Sequence, residues 1–339
     1  MSPAAVNHVI GLEIDSGVAH AVEMTGKASL PGLIRLGYIP LPEGSVREGM
    51  IVDPEQVGLA LKQNWGKVGF KGRKVLLGVL NQGVLVRQIT MPKVPINKIG
   101  NIIHFQAQEY LPIPLESVVL DFLVLGEIEG QEEGEKLLEV LLVAARRDML
   151  STFMQALEIA NLEPVDVDVC SISTIRLLPE MAQTMTIALV NIANGLNSIL
   201  ISDRGRPRLA RLGQVKIVDL AESLGCIVEN IYKVYGSKQE GADAIINGWV
   251  KNLAIEIRSS ISYYQDLTGS SKVEGILLSG RGARLAGINH LLQGHLELPV
   301  RALNPLNAYP SVARKLFQSP TEALDYAVSA GLAIRGLEG

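Results

Sequence analysis

The chain has 339 residues, of which 47% are hydrophobic and only 4% aromatic, and its formal net charge is −4. This composition excludes an intrinsically disordered chain, which is poor in apolar residues and strongly charged. It also argues against a nucleic-acid-binding protein, which would carry a basic surface and often stacking aromatic side chains. The two cysteines, without C-x-x-C spacing, are too few for a disulfide framework or a cysteine zinc site.

The length predicts about two domains, at about 150 residues per domain. The sequence does not open with a basic segment followed by an apolar one, so we expect no signal peptide. The apolar stretch 137–145 is far shorter than the roughly 20 residues that cross a bilayer. We therefore expect a cytoplasmic protein with no direct membrane insertion.

Strands and helices alternate in the first half of the chain. The predicted strands are 9–14, 19–24, 33–39, 74–80, 84–91, 118–125 and 137–145. Helices are predicted at 53–68, which begins with Asp-Pro, at 95–111, and from Asp148 as the N-cap to about residue 161. The acidic segment 130–135 is an expected exposed hairpin loop.

The second half repeats this style. The predicted strands are 187–192, 197–202, 208–212, 275–279 and 300–302, and the predicted helices are 215–234, 242–265, 288–296 and 324–337. This alternation is typical of an α/β protein.

An internal repeat relates the two halves. Residues 10–17 align with residues 188–195 at an offset of 178, so Glu13 matches Asn191. The triplet Arg-Leu-Gly at 35–37 recurs at 211–213, at an offset of 176. Two related α/β lobes are therefore predicted, and the polar turn after the first strand of each lobe would face a cleft between them.

These turns are candidates for binding an anion. Gly and Ser in a turn place backbone N–H groups where phosphate oxygens can accept hydrogen bonds. The Gly-containing loop 280–283 follows a predicted strand and can contribute a third part of the same site.

Three segments carry a resemblance to a known family. They are FQAQEYLPIPLESVVLDF at 105–122, EIRSSISYY at 256–264 and ILLSGRGARLAG at 276–287. The chain resembles the PilM family of type IV pilus assembly proteins, in the PilM/FtsA branch of the actin-like ATPase superfamily. The resemblance implies an actin-like (ribonuclease H-like) duplicated α/β fold, with two lobes around a nucleotide cleft and a small α+β subdomain inserted in the first lobe.

The resemblance also implies domain boundaries. The first-lobe core would comprise 7–93, completed by 161–185 and 321–339, and the inserted subdomain would be 94–160. The second-lobe core would comprise 186–225 and 273–320, with a helical subdomain at 226–272.

In such a fold the loops would contact ATP and Mg²⁺. The residues implied at the nucleotide are Glu13, Asp15, Ser16, Gly17, Asn191, Asn194, Gly195, Glu256, Gly280, Arg281, Gly282 and Ala283. Among them, Glu13 would face the metal.

The loops depart from the family pattern at their central positions. The first loop of the family reads D-I-G-S-S-S, and in this chain Asp15 replaces its glycine. In the second loop of this chain, Asn191 and Ala193 replace the family's Asp and Gly. A carboxylate 4 Å from a phosphate charge would be repelled by about 4 kcal/mol at an effective dielectric constant of about 20. We therefore expect ATP and Mg²⁺ to bind weakly or not at all, with little or no hydrolysis.

A helical stripe in the predicted subdomain has two interpretations. Ile99, Ile103, Gln106 and Tyr110 share one face of the helix 95–111. The stripe can pack against its own sheet, or it can help to line a groove that, by resemblance, takes the N-terminal cytoplasmic tail of the membrane protein PilN.

The resemblance implies a cytoplasmic scaffold of the type IV pilus inner-membrane platform. Such a protein would sit at the inner membrane through a PilN-like partner and contact other platform and motor components. Two alternatives stay open at this point: a catalytically active, polymerising ATPase similar to FtsA, and the type II secretion or competence counterpart of the platform protein.

Overall fold

Two five-stranded sheets form the framework of the computed structural model, which describes residues 8–130, 135–231, 241–267, 269–307 and 320–338. The strands are β1 His8–Asp15, β2 Val18–Lys27, β3 Leu30–Pro40, β4 Val46–Arg47, β5 Met50–Ile51, β6 Lys74–Val79, β7 Val84–Pro92, β8 Val118–Glu129, β9 Lys136–Arg146, β10 Glu163–Val169, β11 Thr186–Ile192, β12 Asn197–Asp203, β13 Arg206–Gly213, β14 Gly275–Ser279 and β15 Val300–Ala302. The α-helices are α1 Pro54–Val68, α2 Ile96–Tyr110, α3 Arg147–Ile159, α4 Cys170–Ser173, α5 Ile217–Ser223, α6 Ala242–Gln265, α7 Ile288–Leu296 and α8 Ala327–Gly336.

The first lobe contains the sheet β10-β6-β1-β2-β3. Strands β1, β2 and β3 form an antiparallel meander, and β6 and β10 extend the sheet in parallel with β1. Helices α1 and α3 cover one face, and α4 and α8 cover the other. Because both faces are covered, the central strands are buried along almost their whole length, as the apolar runs of the sequence predict.

The second lobe repeats this topology with the order β13-β12-β11-β14-β15. Its meander and its two parallel strands correspond one to one to those of the first lobe, so the predicted duplication is confirmed. The Arg-Leu-Gly match is a coincidence of sequence. Gly213 lies opposite Asn197, and the equivalent residue opposite Ala19 is Ile39, two positions beyond Gly37.

A third, three-stranded sheet, β7-β9-β8, forms the inserted subdomain together with α2. The subdomain differs from the predicted range 94–160 at both ends. Strand β7 pairs with β9 and so belongs to the inserted sheet, while α3 packs with α1 in the first-lobe core. Periodicity in a sequence cannot indicate which sheet a strand joins, so the predicted limits of the inserted subdomain differ from those in the structure.

The capping residues predicted from the sequence are found in α1 but not in α3. The Asp53 side chain accepts a hydrogen bond from the Gln56 amide at 2.9 Å, Pro54 begins α1, and Gly69 ends it with a φ of +100°. In α3, by contrast, the expected cap Asp148 lies inside the first turn, and the N-cap is Arg146. Asp148 instead forms an ion pair with Arg146.

One strand absent from the prediction and two predicted helices also differ from the structure. Strand β10 did not stand out in the sequence because its exposed edge alternates aspartate with valine. The expected helix 215–234 is the short α5 followed by a 3₁₀ turn, with 232–234 outside the described residues. The expected helix 324–337 begins with a 3₁₀ segment before α8. Of the expected loop 130–135, residues 131–134 also lie outside the described part of the chain.

The helical stripe of α2 is divided between core and surface. Ile99 and Ile103 are 1–2% exposed and pack against β7, β8 and β9, so they do not line an open groove. Gln106 is half-buried and Tyr110 is 38% exposed. The interpretation in which the stripe packs on its own sheet therefore applies to the two isoleucines.

Candidate functional site

The turn after β1 and the turn after β11 meet between the lobes. The Asn194 amide donates to Asp15 Oδ2 at 2.6 Å, and the Gly195 amide donates to Asp15 Oδ1 at 3.1 Å. The side-chain amide of Asn194 donates to the Ser16 carbonyl at 2.9 Å. Three hydrogen bonds thus join two loops that are about 180 positions apart in sequence.

A second contact crosses the cleft beside the first. The tip of the β4–β5 hairpin presents Glu48, whose carboxylate forms an ion pair with Lys216 of the second lobe. Glu48 adopts a φ of +49°, which is uncommon outside glycine and aims the hairpin tip at the other lobe. Residues of the first lobe therefore hold the second lobe at two adjacent points.

The third loop, 280–283, follows β14 and packs against the turn after β11. A Cβ atom on Gly282 would lie 2.2 Å from Ile192 Cγ2, so the loop approaches the second hairpin turn as closely as a glycine allows. Ser279 donates to the Asn191 side-chain oxygen at 2.9 Å. Ala283 is buried here as well. The Asn191 oxygen that would act toward a ligand is thereby used within its own lobe.

Arg281 is only 5% exposed although it is charged. Its guanidinium lies 3.7 Å from Asp325 and 5.7 Å from the ring centre of Tyr38, and Arg284 forms a hydrogen bond with the same carboxylate at 2.8 Å. Burial raises the pKa of Asp325, and the two arginines oppose that shift. Arg281 is therefore part of a buried ionic cluster rather than a loop residue in solvent.

Glu13 and His20 form a buried cross-strand pair between β1 and β2. Their side chains are 4.0 Å apart, and each residue is 6% exposed. Burial, with Asp15 and Asp325 nearby, raises the pKa of Glu13 well above its usual range. Burial, with Arg281 and Arg284 nearby, lowers the pKa of His20 to about 3. At neutral pH His20 is therefore uncharged, and burial disfavours the ionised form of Glu13.

Glu256 supports the cleft from outside it. Its carboxylate accepts hydrogen bonds from the Gln214 and Val215 amides at 2.7 and 3.1 Å, which fixes the segment after β13. The next residue, Lys216, is the one that pairs with Glu48. Glu256 thus positions a residue that joins the lobes.

These residues do not fit ATP and Mg²⁺ in the arrangement of the structure. The two amides that would face a phosphate oxygen already hold the Asp15 carboxylate, and Asp15, Asn191 and Asn194 are each 5–8% exposed. Because burial raises the pKa of Glu13, this carboxyl ionises less readily than usual and is a weaker ligand for a hard cation. Within the described part of the chain, no group of three or more His, Cys, Asp or Glu side chains could hold a metal ion.

Most of the predicted nucleotide residues are nevertheless neighbours in space. The first turn, the second turn and the 280–283 loop converge on Asp15 and Arg281, although Gly17 lies on the exposed side of its turn. Sequence reasoning missed Asp325, Tyr38, Glu48 and Lys216. No sequence signal marks them, because each reaches the cleft from a different element.

A groove of about 560 Å³ lies between the first lobe and the inserted subdomain. One long wall is β8, the edge strand of the inserted sheet, and the other is β10, the edge strand of the first-lobe sheet. Val119, Leu123, Val165 and Val167 line it and are 36–46% exposed. Two edge strands and four exposed apolar side chains make this a surface that a partner could cover.

The inserted subdomain is also fastened to the second lobe. Arg208 on β13 lies 2.5 Å from the Glu139 carboxylate on β9, which also accepts a hydrogen bond from Gln88 at 2.8 Å. Arg206 donates to the Leu125 carbonyl at 2.8 Å. The sheet that forms one wall of the groove thus contacts both lobes.

The duplicated sheets and the facing hairpin turns define a two-lobed protein of the actin-like fold. More particularly, the chain belongs to the type IV pilus assembly protein PilM family, whose profile matches residues 11–337.

Two solved structures are similar to this chain over almost its whole length. One, described as the PilM-PilN type IV pilus biogenesis complex, has 27% sequence identity and a TM-score of 0.83, covering 99% of this chain and 100% of the matched chain. The other is the ethanolamine utilization protein EutJ from Carboxydothermus hydrogenoformans, with 14% identity and a TM-score of 0.57, covering 98% of this chain and 91% of that one. The second similarity concerns the fold alone.

None of the helices within the described residues combines the length and apolar character needed to cross a bilayer.

Proposed function

We propose that this protein is a scaffold of the type IV pilus inner-membrane platform and binds the N-terminal cytoplasmic tail of a PilN-like membrane protein. The observation that carries the proposal is the groove between β8 and β10, in a chain that belongs to the PilM family. The similarity to the PilM-PilN complex supports the choice of partner.

The shape of the groove favours an extended peptide. Both long walls are edge strands, and an edge strand offers unpaired backbone groups to which a peptide can add as a further strand. Successive side chains of an extended peptide point to opposite faces, so every second residue could reach the apolar wall formed by Val119, Leu123, Val165 and Val167.

One side of the groove is polar and already ion-paired. Arg335 lies 3.0 Å from Asp166, and Arg176 lies 3.4 Å from Asp168, both on β10. Burial raises the pKa of Asp168, although Arg176 and Arg335 lower it. An apolar wall beside paired charges favours an amphipathic tail over a uniformly charged one.

We further propose that the protein works without ATP turnover. The cleft residues do not fit ATP and Mg²⁺, and an attacking water would need a positioned acceptor that Asn191, engaged with Ser279, does not supply. Recruitment to the inner membrane would then follow from the tail of the partner, and contacts with other platform and motor components would use further surfaces.

The test is a binding titration with a synthetic peptide of the PilN-like tail, monitored by fluorescence anisotropy. The wild-type protein should bind at micromolar concentrations, and Leu123→Arg should weaken binding at least about tenfold, because a charge then replaces apolar surface. Ile255→Arg is the matched control, since Ile255 is 54% exposed on α6, outside the groove lining. No binding at micromolar peptide, or equal affinity in both variants, would refute the proposal.

A further inference from the structure

The Asp15 carboxylate is bound in the cleft by backbone amides, as an anion would be. It accepts hydrogen bonds from three backbone amides, those of Ser16 at 2.7 Å, Asn194 at 2.6 Å and Gly195 at 3.1 Å. Consecutive backbone N–H groups of a turn form the concave donor set that binds oxyanions in other proteins. Here a side chain of the opposite lobe supplies the two oxygens.

The surroundings are built for this carboxylate. Burial raises the pKa of Asp15, and the three backbone hydrogen bonds and the nearby Arg281, itself 5% exposed, oppose that shift. A Cβ atom on Gly195 would lie 2.5 Å from Ser16 Oγ and 3.0 Å from Asp15 Oδ1, so a larger residue here would have to displace these side-chain oxygens. The first turn therefore fills the space in front of the second turn.

We propose that Asp15 is a built-in anion that takes the place of a nucleotide phosphate and holds the two lobes together. This inference deepens the proposal that the protein works without ATP turnover, whereas tail binding rests on different residues and can fail or hold independently. A phosphate group and the Asp15 carboxylate compete for the same amides, so the wild-type chain binds neither inorganic phosphate nor ATP there. The two lobes then stay closed without a bound ligand, because the Asp15 side chain supplies the anion.

The substitution Asp15→Gly tests this directly, because it removes the carboxylate and restores the glycine of the family pattern. In phosphate-free buffer the variant should melt at a lower temperature than the wild type, since two of the three hydrogen bonds between the turns of the two lobes are lost. Adding inorganic phosphate, or ATP with Mg²⁺, should restore its melting temperature and leave that of the wild type unchanged. Calorimetry should show at least about tenfold tighter ligand binding than in the wild type, which should give no signal at about 1 mM.

Glu48→Ala is the matched control. It removes the neighbouring cross-cleft ion pair with Lys216 but leaves Asp15 on its amides. This variant should melt at a lower temperature without any rescue by phosphate or ATP. Rescue of both variants would mean that ligands respond to a loosened cleft in general, and would overturn the role of Asp15.

Two further outcomes would also overturn the inference. They are micromolar binding of phosphate or ATP by the wild type, and an Asp15→Gly variant with unchanged melting temperature and no ligand response. If Asp15→Gly fails to fold, Asp15→Asn keeps the shape and one acceptor oxygen. It should increase amide hydrogen exchange at Asn194 and Gly195, and unchanged exchange there would refute the proposal.

Discussion

Replacing Arg208 by methionine tests how the inserted subdomain is fastened to the second lobe. Arg208 pairs with Glu139 at 2.5 Å, and the two side chains are only 14% and 10% exposed. Removing the cation leaves a largely buried carboxylate that, among the residues described by the structure, keeps its hydrogen bond from Gln88. Because an uncompensated buried charge costs about 3–5 kcal/mol, and some solvent reaches this pair, we expect the free energy of unfolding to fall by about 3 kcal/mol.

A double-mutant cycle separates this penalty from lost packing. In Arg208→Met/Glu139→Gln no charge remains, so the double variant should recover about 1–3 kcal/mol relative to the sum of the single variants. Lys93→Met is the control in the same subdomain. Its ion pair with Glu127 has side chains 43% and 50% exposed, so its loss should change the free energy of unfolding far less than the loss of the Arg208 pair.

Urea unfolding followed by tryptophan fluorescence is a suitable assay, because each lobe carries one of the two tryptophans. Trp65 lies on α1 and reports on the first lobe, and Trp249 lies on α6 and reports on the second. Single-tryptophan versions of the cycle would show whether the lobes uncouple when Arg208 is removed. A coupling energy below about 0.5 kcal/mol would refute the idea that this ion pair fastens the subdomain.

Two further predictions concern the cleft. The pKa of His20 is about 3 in the folded protein and 6.5 as its ordinary value, so between these values the unfolded chain binds a proton that the folded protein does not. The free energy of unfolding therefore falls as the pH drops below 6.5. From pH 7 to pH 5 this loss should be about 2 kcal/mol and should be absent in His20→Gln; an identical pH dependence of both proteins in urea titrations would contradict the assignment. Gly282→Ala should cost about 1–3 kcal/mol, because its Cβ would lie 2.2 Å from Ile192 Cγ2. Gly294→Ala, whose Cβ meets nothing within 4 Å on α7, should be neutral or stabilising in the same thermal melts, and equal effects of the two changes would count against the close approach.

Local patterns in the sequence were sufficient for most of the architecture. The Asp53-Pro54 pair predicted where α1 begins, and the apolar runs at 275–279 and 300–302 matched β14 and β15. Because equal turns follow the first strand of each half, the repeat at an offset of 178 also indicated a duplicated fold. Helix capping and the periodicity of apolar side chains depend on near neighbours in the chain, so such signals can be recognised without knowledge of the tertiary structure.

Only the tertiary structure decided which elements of the chain contact each other. The period of α2 marked Ile99 and Ile103 as one face, yet their burial depends on a sheet whose strand β7 lies outside the predicted subdomain. Likewise, Asp15 was recognised as an obstacle to phosphate, but its hydrogen bonds to Asn194 and Gly195 were not. Those bonds join residues far apart in the chain, and their formation depends on the packing of two lobes, which no local pattern encodes.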